Sequence, residues 1–248
     1  IRRGPMATPT AASSVFDIDT AATTNPAFET NFPPDMSLFG GRTGTDKWYI
    51  SARLAQGRYM DTETNAGETT SAAAWSYGTA QTGHYFNSGG LATNYLSYFW
   101  KRAPGYFDVV AYTGNATAGR TVNHNLGVVP EMIWIKGRTA YGWVVYHQAL
   151  GNTKIINLND TYYAYTQANF NDTDPTSSVF TLGSIAGTNA NNATFIAYLF
   201  ATLAGVSKVG SVSHSGSSTD VDCGFSSGAS LVMLKRTDST GDWYWWDS

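Results

Sequence analysis

Three stretches of this chain follow one order. Residues 41–50 (GRTGTDKWYI), 137–146 (GRTAYGWVVY) and 235–246 (KRTDSTGDWYWW) each run through Arg-Thr, a short turn and a Trp that leads an aromatic-rich segment. Trp48, Trp143 and Trp243 recur at intervals of 95 and 100 residues. Other landmarks keep that spacing: 94–100 (NYLSYFW) matches 194–200 (TFIAYLF), and 105–109 (GYFDV) matches 205–209 (GVSKV). Residues 31–36 (NFPPDM) resemble 125–132 (NLGVVPEM) just before the runs led by Met36 and Met132. A chain with such a period is built from stacked copies of one unit. Copy one is expected over residues 16–104, copy two over 105–204, and copy three from 205 to 248, unfinished. Residues 1–15, rich in Pro, Thr, Ala and Ser, read as a linker or arm.

The unit is β-rich. Copy two supplies apolar or alternating runs at 107–112, 120–124, 132–136, 143–147, 154–158, 179–182 and 194–200, separated by Gly, Asn, Asp and Thr turns. The predicted fold class is all-β: tandem antiparallel β-sandwich-like modules of about 100 residues. Composition agrees, because charged residues make up 13% of the chain and aromatics 14%. Long helices expose Lys, Glu and Arg, whereas neutral Thr, Ser, Asn and Gly suit strands and turns. The weakest point of this reading is the Ala-rich piece at 72–74.

The same composition excludes several classes of partner. A net charge of −3, with basic pairs only at Arg2-Arg3, Lys101-Arg102 and Lys235-Arg236, does not suit binding to a nucleic-acid backbone. The one cysteine, Cys223, can build neither an intrachain disulfide nor a Cys-based zinc cluster. Residues 193–206 (ATFIAYLFATLAGV) are apolar but shorter than the about 20 residues of a spanning helix. Their counterpart in copy one runs straight into Lys101-Arg102, so a buried strand is expected and not membrane insertion. No secretory signal is read at the start, and the lack of an initiator Met suggests a fragment or the ordered part of something longer.

Catalytic patterns are weak. Residues 224–228 (GFSSG) fit G-x-S-x-G, yet a strand pattern follows where a nucleophilic Ser226 needs a helix. His84, His124, His147 and His214 have no ligand spacing. Asp17 with Asp19, Asn171 with Asp172 and Asp174, and Asp220 with Asp222 offer oxygens but no calcium loop, and read as turn formers. The sequons at Asn115, Asn159, Asn171 and Asn192 are expected by chance in a chain rich in Asn and Thr. Asp108, Glu131, Asp160, Asp172 and Asp174 remain formal candidates for a glycosidase pair, with nothing to select two of them. No catalytic, cofactor-binding or metal site is therefore assigned, and no enzyme activity or cofactor is expected. The aromatic hairpin residues Trp143, Tyr146, Trp243, Tyr244, Trp245 and Trp246 carry the strongest signal. They are expected first as core and second as a contact surface, with Trp243 and Trp245 on one face and Tyr244 and Trp246 on the other.

Residues 105–115 (GYFDVVAYTGN), 122–133 (VNHNLGVVPEMI) and 143–151 (WVVYHQALG) resemble the repeat of tail-fibre-like virion proteins of marine bacteriophages, as do 202–210 and 235–248. The likeness covers about residues 99–248; residues 16–98 join it through the internal repeat. It implies a virion protein of the tail or tail fibre that attaches to a host-surface glycan or protein. It further implies contact with other tail proteins and self-association, with a homotrimer the commonest arrangement. Alternatives are a capsid-surface or tail-body protein and, less favoured, a polysaccharide depolymerase. The resemblance carries no catalytic residues.

Overall fold

The computed structural model describes residues 6–24, 26–43, 47–55, 57–70, 83–84 and 93–248. The Ala-rich piece at 72–74 lies outside them. Copy one contains β1 (Phe16–Thr20), β2 (Phe28–Glu29), β3 (Met36–Gly41), β4 (Trp48–Ala52), β5 (Arg58–Asp61), β6 (Thr69–Thr70), β7 (Gly83–His84) and β8 (Tyr95–Trp100). Copy two contains β9 (Phe107–Thr113), β10 (Arg120–Asn123), β11 (Met132–Gly137), β12 (Trp143–His147), β13 (Lys154–Asn157), β14 (Tyr165–Thr166), β15 (Val179–Leu182) and β16 (Thr194–Phe200). A short helix, α1 (Ala186–Asn189), precedes β16. The class is all-β and the pairing antiparallel.

The first large sheet runs β1-β8-β3-β4-β5-β6 and the second β9-β16-β11-β12-β13-β14, the same order term by term. Each is accompanied by a two-stranded sheet, β2-β7 and β10-β15, drawn from matching places in the chain. Registers agree as well. Met36 lies opposite Trp100 and Ala52, and Met132 opposite Phe200 and His147. Gly40 lies opposite Trp48, and Lys136 opposite Trp143, so the two Trp residues hold one structural position. Arg42 and Arg138 are likewise equivalent: their amides donate to the carbonyls of Asn94 and Thr194, each at 2.8 Å.

Both faces of each large sheet are covered, which is why β11 is buried along its whole length despite the period of two. Ile133 and Ile135 face one core with Phe170, Phe180 and Phe195, inside copy two. Met132 and Trp134 face the other way, into a core shared by both copies that also takes Leu38, Ile50, Tyr98 and Tyr198. Val15, within the segment read as an arm, is buried in this shared core too.

Copy three supplies β17 (Leu231–Lys235) and β18 (Trp243–Asp247), a hairpin in which Lys235 faces Trp243 as Lys136 faces Trp143. Its beginning repeats the start of copy two: the bridge Leu203–Ser207 copies Ala103–Phe107. Gly105 and Gly205 turn each bridge at φ of 76° and 71°, a conformation that costs glycine little.

One set of bonds joins copy one to copy two and recurs between copies two and three. The Trp143 indole N–H donates to the Asp61 carbonyl at 2.8 Å, and that of Trp243 donates to the Asn157 carbonyl at 2.9 Å. Asp61 and Asn157 each end the strand next to their module's Trp strand. The Glu68 amide donates to the Arg138 carbonyl and the Ala164 amide to that of Thr237, both at 3.0 Å. Lys136 donates to the carbonyls of Ala66 and Tyr141, while Lys235 donates to those of Asp160 and Gly241. Glu68 adds an ion-paired clamp at the first junction, with Arg58 at 2.7 Å on one oxygen and Arg138 at 2.8 Å on the other. The third hairpin also reaches copy one, since Trp245 stacks on Tyr98 at 6.3 Å while meeting Trp134 edge-on at 6.2 Å. The three copies therefore close around a single core.

Trp143→Phe should cost about 1–2 kcal/mol, because it removes the hydrogen bond between a fully buried indole and the part-buried Asp61 carbonyl. Trp243→Phe should cost less, since Trp243 is only half-buried. Urea denaturation of the two variants measures the difference, and an unchanged midpoint for Trp143→Phe would deny the indole bond its role.

Candidate functional site

Where the copies meet, a cavity of about 550 Å³ opens to solvent. Copy one contributes Trp48, Thr62 and Glu63; copy two contributes Trp134 and Asn159–Thr161; copy three contributes Asp242, Trp243 and Trp245. Three of these groups are held by contacts within their own copy. Trp48 lies on Gly40, whose missing side chain leaves room for the indole: a Cβ there would stand 2.5 Å from Trp48 Cδ2. Trp48 also stacks on Tyr98 at 5.7 Å. Asn159 is held by accepting the Trp143 amide at 2.7 Å, and the Asp160 carboxylate by accepting the Tyr162 amide at 3.0 Å. Beside Thr161, Tyr162 and Tyr163 stack at 4.4 Å with both rings exposed.

The chemistry of this lining is that of a binding surface: flat indole faces with carboxylate, amide and hydroxyl groups around them. The Trp134 indole N–H, buried in the wall, has no hydrogen-bond partner among the described residues.

Lys136 is fully buried behind the cavity wall. Burial pushes its ammonium down to about 8, partly opposed by the negative charge of Asp61. Its Nζ lies 2.7 Å from the Ala66 carbonyl and also donates to Tyr141, so its role is to tie copy two to copy one. Lys235, in the same position of copy three, is shifted downward for the same reason, opposed by Asp160 and Asp242.

The residues singled out from sequence are dispersed. Ser226 lies in an exposed loop that leads into β17, with no helix after it. Asp108 is buried, accepting from Arg102 Nε at 2.5 Å and from the Asn125 amide at 2.7 Å. Glu131 receives the Thr202 amide at 2.5 Å, the same bond that Asp35 makes with the Arg102 amide at 2.7 Å. Asp172 has a left-handed φ of 48°, and Asp174 accepts from Asn152 at 2.9 Å. Asp160 alone of these five acids lines the cavity. Asp17 and Asp19 lie within β1 and not in a turn, accepting from the amides of Ile18 and of Glu29 on β2; Asp222 accepts the Gly224 amide in a loop, and Asp220 is exposed. Among the described residues no three His, Cys, Asp or Glu side chains are grouped to hold a metal ion.

His124 is buried and neutral by geometry: Nδ1 accepts the Leu126 amide, so Nε2–H donates to the Thr176 carbonyl at 3.1 Å. Burial lowers its affinity for a proton, and that of His147, which caps a helical turn at the Ala149 amide. His214 is exposed beside Thr219, and the His84 side chain lies outside the described residues. Of the sequon residues, Asn115 accepts the Thr117 amide, while Asn171 and Asn192 adopt left-handed turns. The aromatic hairpins divide as the alternation predicts. Trp143 and Tyr146 are core, Trp243 and Trp245 are half-buried against the shared core, and Tyr244 and Trp246 face solvent.

The fold and junction define a class: an all-β protein of tandem antiparallel modules that share one core. Residues 105–248, more than half of the chain, match the domain of unknown function DUF7483, and the chain belongs to that family. The matched region spans the whole second module and the third hairpin. No curated protein matches the chain, nor does any solved structure. Among the described residues no helix is long and apolar enough to cross a membrane; residues 194–200, the apolar segment weighed above, form β16 between β11 and β9.

The buried ammonium gives a pH signature. An ordinary lysine in the unfolded chain titrates near 10.5 and folded Lys136 near 8. Below pH 8 both states hold the proton; between those values the unfolded state holds it and the folded state has released it. Stability should therefore rise with pH through that window. A gain on the order of 1–2 kcal/mol between pH 8 and 9.5 is expected. Tyr98 and Tyr146, pushed up to about 12, act oppositely only when their unfolded forms ionise near pH 10. Chemical denaturation across this range should show the rise in the wild type and its loss in Lys136→Met.

Proposed function

We propose that this chain is a structural component of a bacteriophage virion, a tail fibre or tail appendage that attaches to the host surface. The observation that carries the reading is the junction: one set of bonds used twice, which lets a β scaffold for a particle be built by repetition of one unit around a common core. The resemblance of residues 99–248 to tail-fibre-like proteins points the same way. The cavity is the attachment site in this reading. Sugar rings present apolar faces that stack on indole and phenol rings, and hydroxyls that bond to Glu63, Asn159, Asp160 and Asp242. Individual contacts of this kind are weak, and several chains on one particle, as in a homotrimeric fibre, multiply them through effective concentration. A host glycan is the partner this chemistry favours, with other tail proteins as neighbours in the particle.

Binding of the purified chain to polysaccharide extracted from the host envelope tests the site, and antibody labelling of intact particles tests the location. The double variant Glu63→Ala, Asp242→Ala should lose at least tenfold in glycan affinity with its folding unchanged, since both side chains line the cavity and are exposed. Unaltered affinity in that variant moves the site elsewhere, and labelling confined to the capsid shell refutes the tail assignment.

A further inference from the structure

In copies one and two the Met-led strand is flanked on both sides. β3 lies between β4 and β8, and β11 between β12 and β16. In copy three, β17 pairs with β18, and among the described residues its other edge pairs with no strand. The apolar side chains of copy three show what is expected there. Val212, Val221, Leu234, Tyr244 and Trp246 are between 45% and 56% exposed. Their counterparts in copy two, Tyr112, Val122, Ile135, Val144 and Tyr146, are all exposed by 9% or less. The closing half of that copy covers them. Tyr112 packs on Phe180 and Phe195, Tyr146 packs on Phe170, and Val122 pairs with Phe180.

The same comparison explains why residues 207–230 form no strand. In copy two, β9 pairs with β16 and β10 with β15, so both early strands wait for partners from later in the module. An early half without its closing half keeps an apolar face and a row of unpaired backbone groups.

We propose that copy three is an acceptor for a polypeptide segment carrying the closing half of a repeat of this family, which adds a strand along the free edge of β17. The occupant is an extended chain with large apolar residues along a strand of the type of β8 and β16. Its register follows from copy two, where Phe200 lies opposite Met132 and Phe195 opposite Gly137. The last aromatic residue of the incoming strand therefore lies opposite Leu231 and its first opposite Arg236. Backbone bonds along β17 supply affinity, while Leu234 and Trp246 select the apolar pattern. The seat continues the core already shared by the three copies, because Met233 and Trp245 on the other face belong to it. Strand addition thus completes a third module and does not open a separate interface.

The test uses the full chain and a labelled synthetic peptide with the sequence of residues 193–202, flanked by lysines for solubility. Saturable binding at one peptide per chain is expected, with hydrogen-exchange protection gained at residues 231–235. A peptide with proline at the positions of Ala197 and Tyr198 should bind at least tenfold more weakly, because one of the two lost amides must face β17. The chain variant Leu234→Lys should lose the same factor while keeping the near-ultraviolet dichroism of the other two modules. Several results overturn the proposal: no saturable binding, equal binding of the proline peptide, or protection gained outside copy three. Protection of β17 that rises with chain concentration alone, in step with dimer formation, overturns it as well, because it makes a second β17 edge the occupant.

Discussion

A sheet that is apolar on both faces must be covered twice, and the rest of this structure follows from that requirement. One face of each large sheet is covered locally, by a two-stranded sheet and loops from the same copy. The other is covered by neighbouring copies, through Trp134, Trp143 and Tyr198 from one and Leu38, Ile50 and Tyr98 from another. Hydrophobic burial therefore acts between modules as much as within them. It gives the repeat a reason to exist, since a single copy would leave half of its aromatic surface in water.

Several of the polar groups buried by this arrangement fix the chain in place. Asp35 and Glu131 occupy one position and receive one amide, which fixes where the chain leaves the last strand of each module. Lys136 is desolvated, and its two carbonyl partners come from different copies, so its bond to Ala66 exists only when the copies are joined. The low content of charge in the sequence is thus matched by specific placement. Glu68, held between Arg58 and Arg138, is the clearest case, because one carboxylate bridges two modules.

Much of the fold could be read from the residues because strand order in a repeat is preserved by pattern. Expected runs at 143–147, 179–182 and 194–200 coincide with β12, β15 and β16, and others differ by one residue at an end. The equivalence of Trp48 with Trp143 was visible in their common Arg-Thr lead. Short pieces were not visible: β2 and β14 are two residues each and owe their pairing to distant partners. The junction was hidden for a related reason. Lys136 reads as the polar end of an apolar strand, and only the packing of copy two on Ala66 makes it an interior group. The cavity needs residues from all three copies, so no local window contains it. One clue was present, since Lys136 and Lys235 both precede the Arg-Thr turn where copy one has Gly40. It would have marked the two lysines as a matched pair of contacts between copies.

The junction is also directional. One side gives hydrogen bonds from an indole and an ammonium and receives a backbone amide, and the other accepts them on carbonyls at or after the end of β5 or β13 and gives that amide. Such a contact is heterologous: two identical surfaces cannot face each other across a twofold axis and form it. Heterologous contacts have two geometric fates, an open helix or a closed ring. The stacking of Trp245 on Tyr98 brings the third unit back to the first, which is the geometry of a ring. A covalently joined chain with this geometry has rotational quasi-symmetry written along its length. Its end units differ in kind, because in these indole and ammonium bonds copy one accepts from copy two and copy three donates to copy two. The polarity of the polypeptide thereby becomes a sense of rotation about the common core.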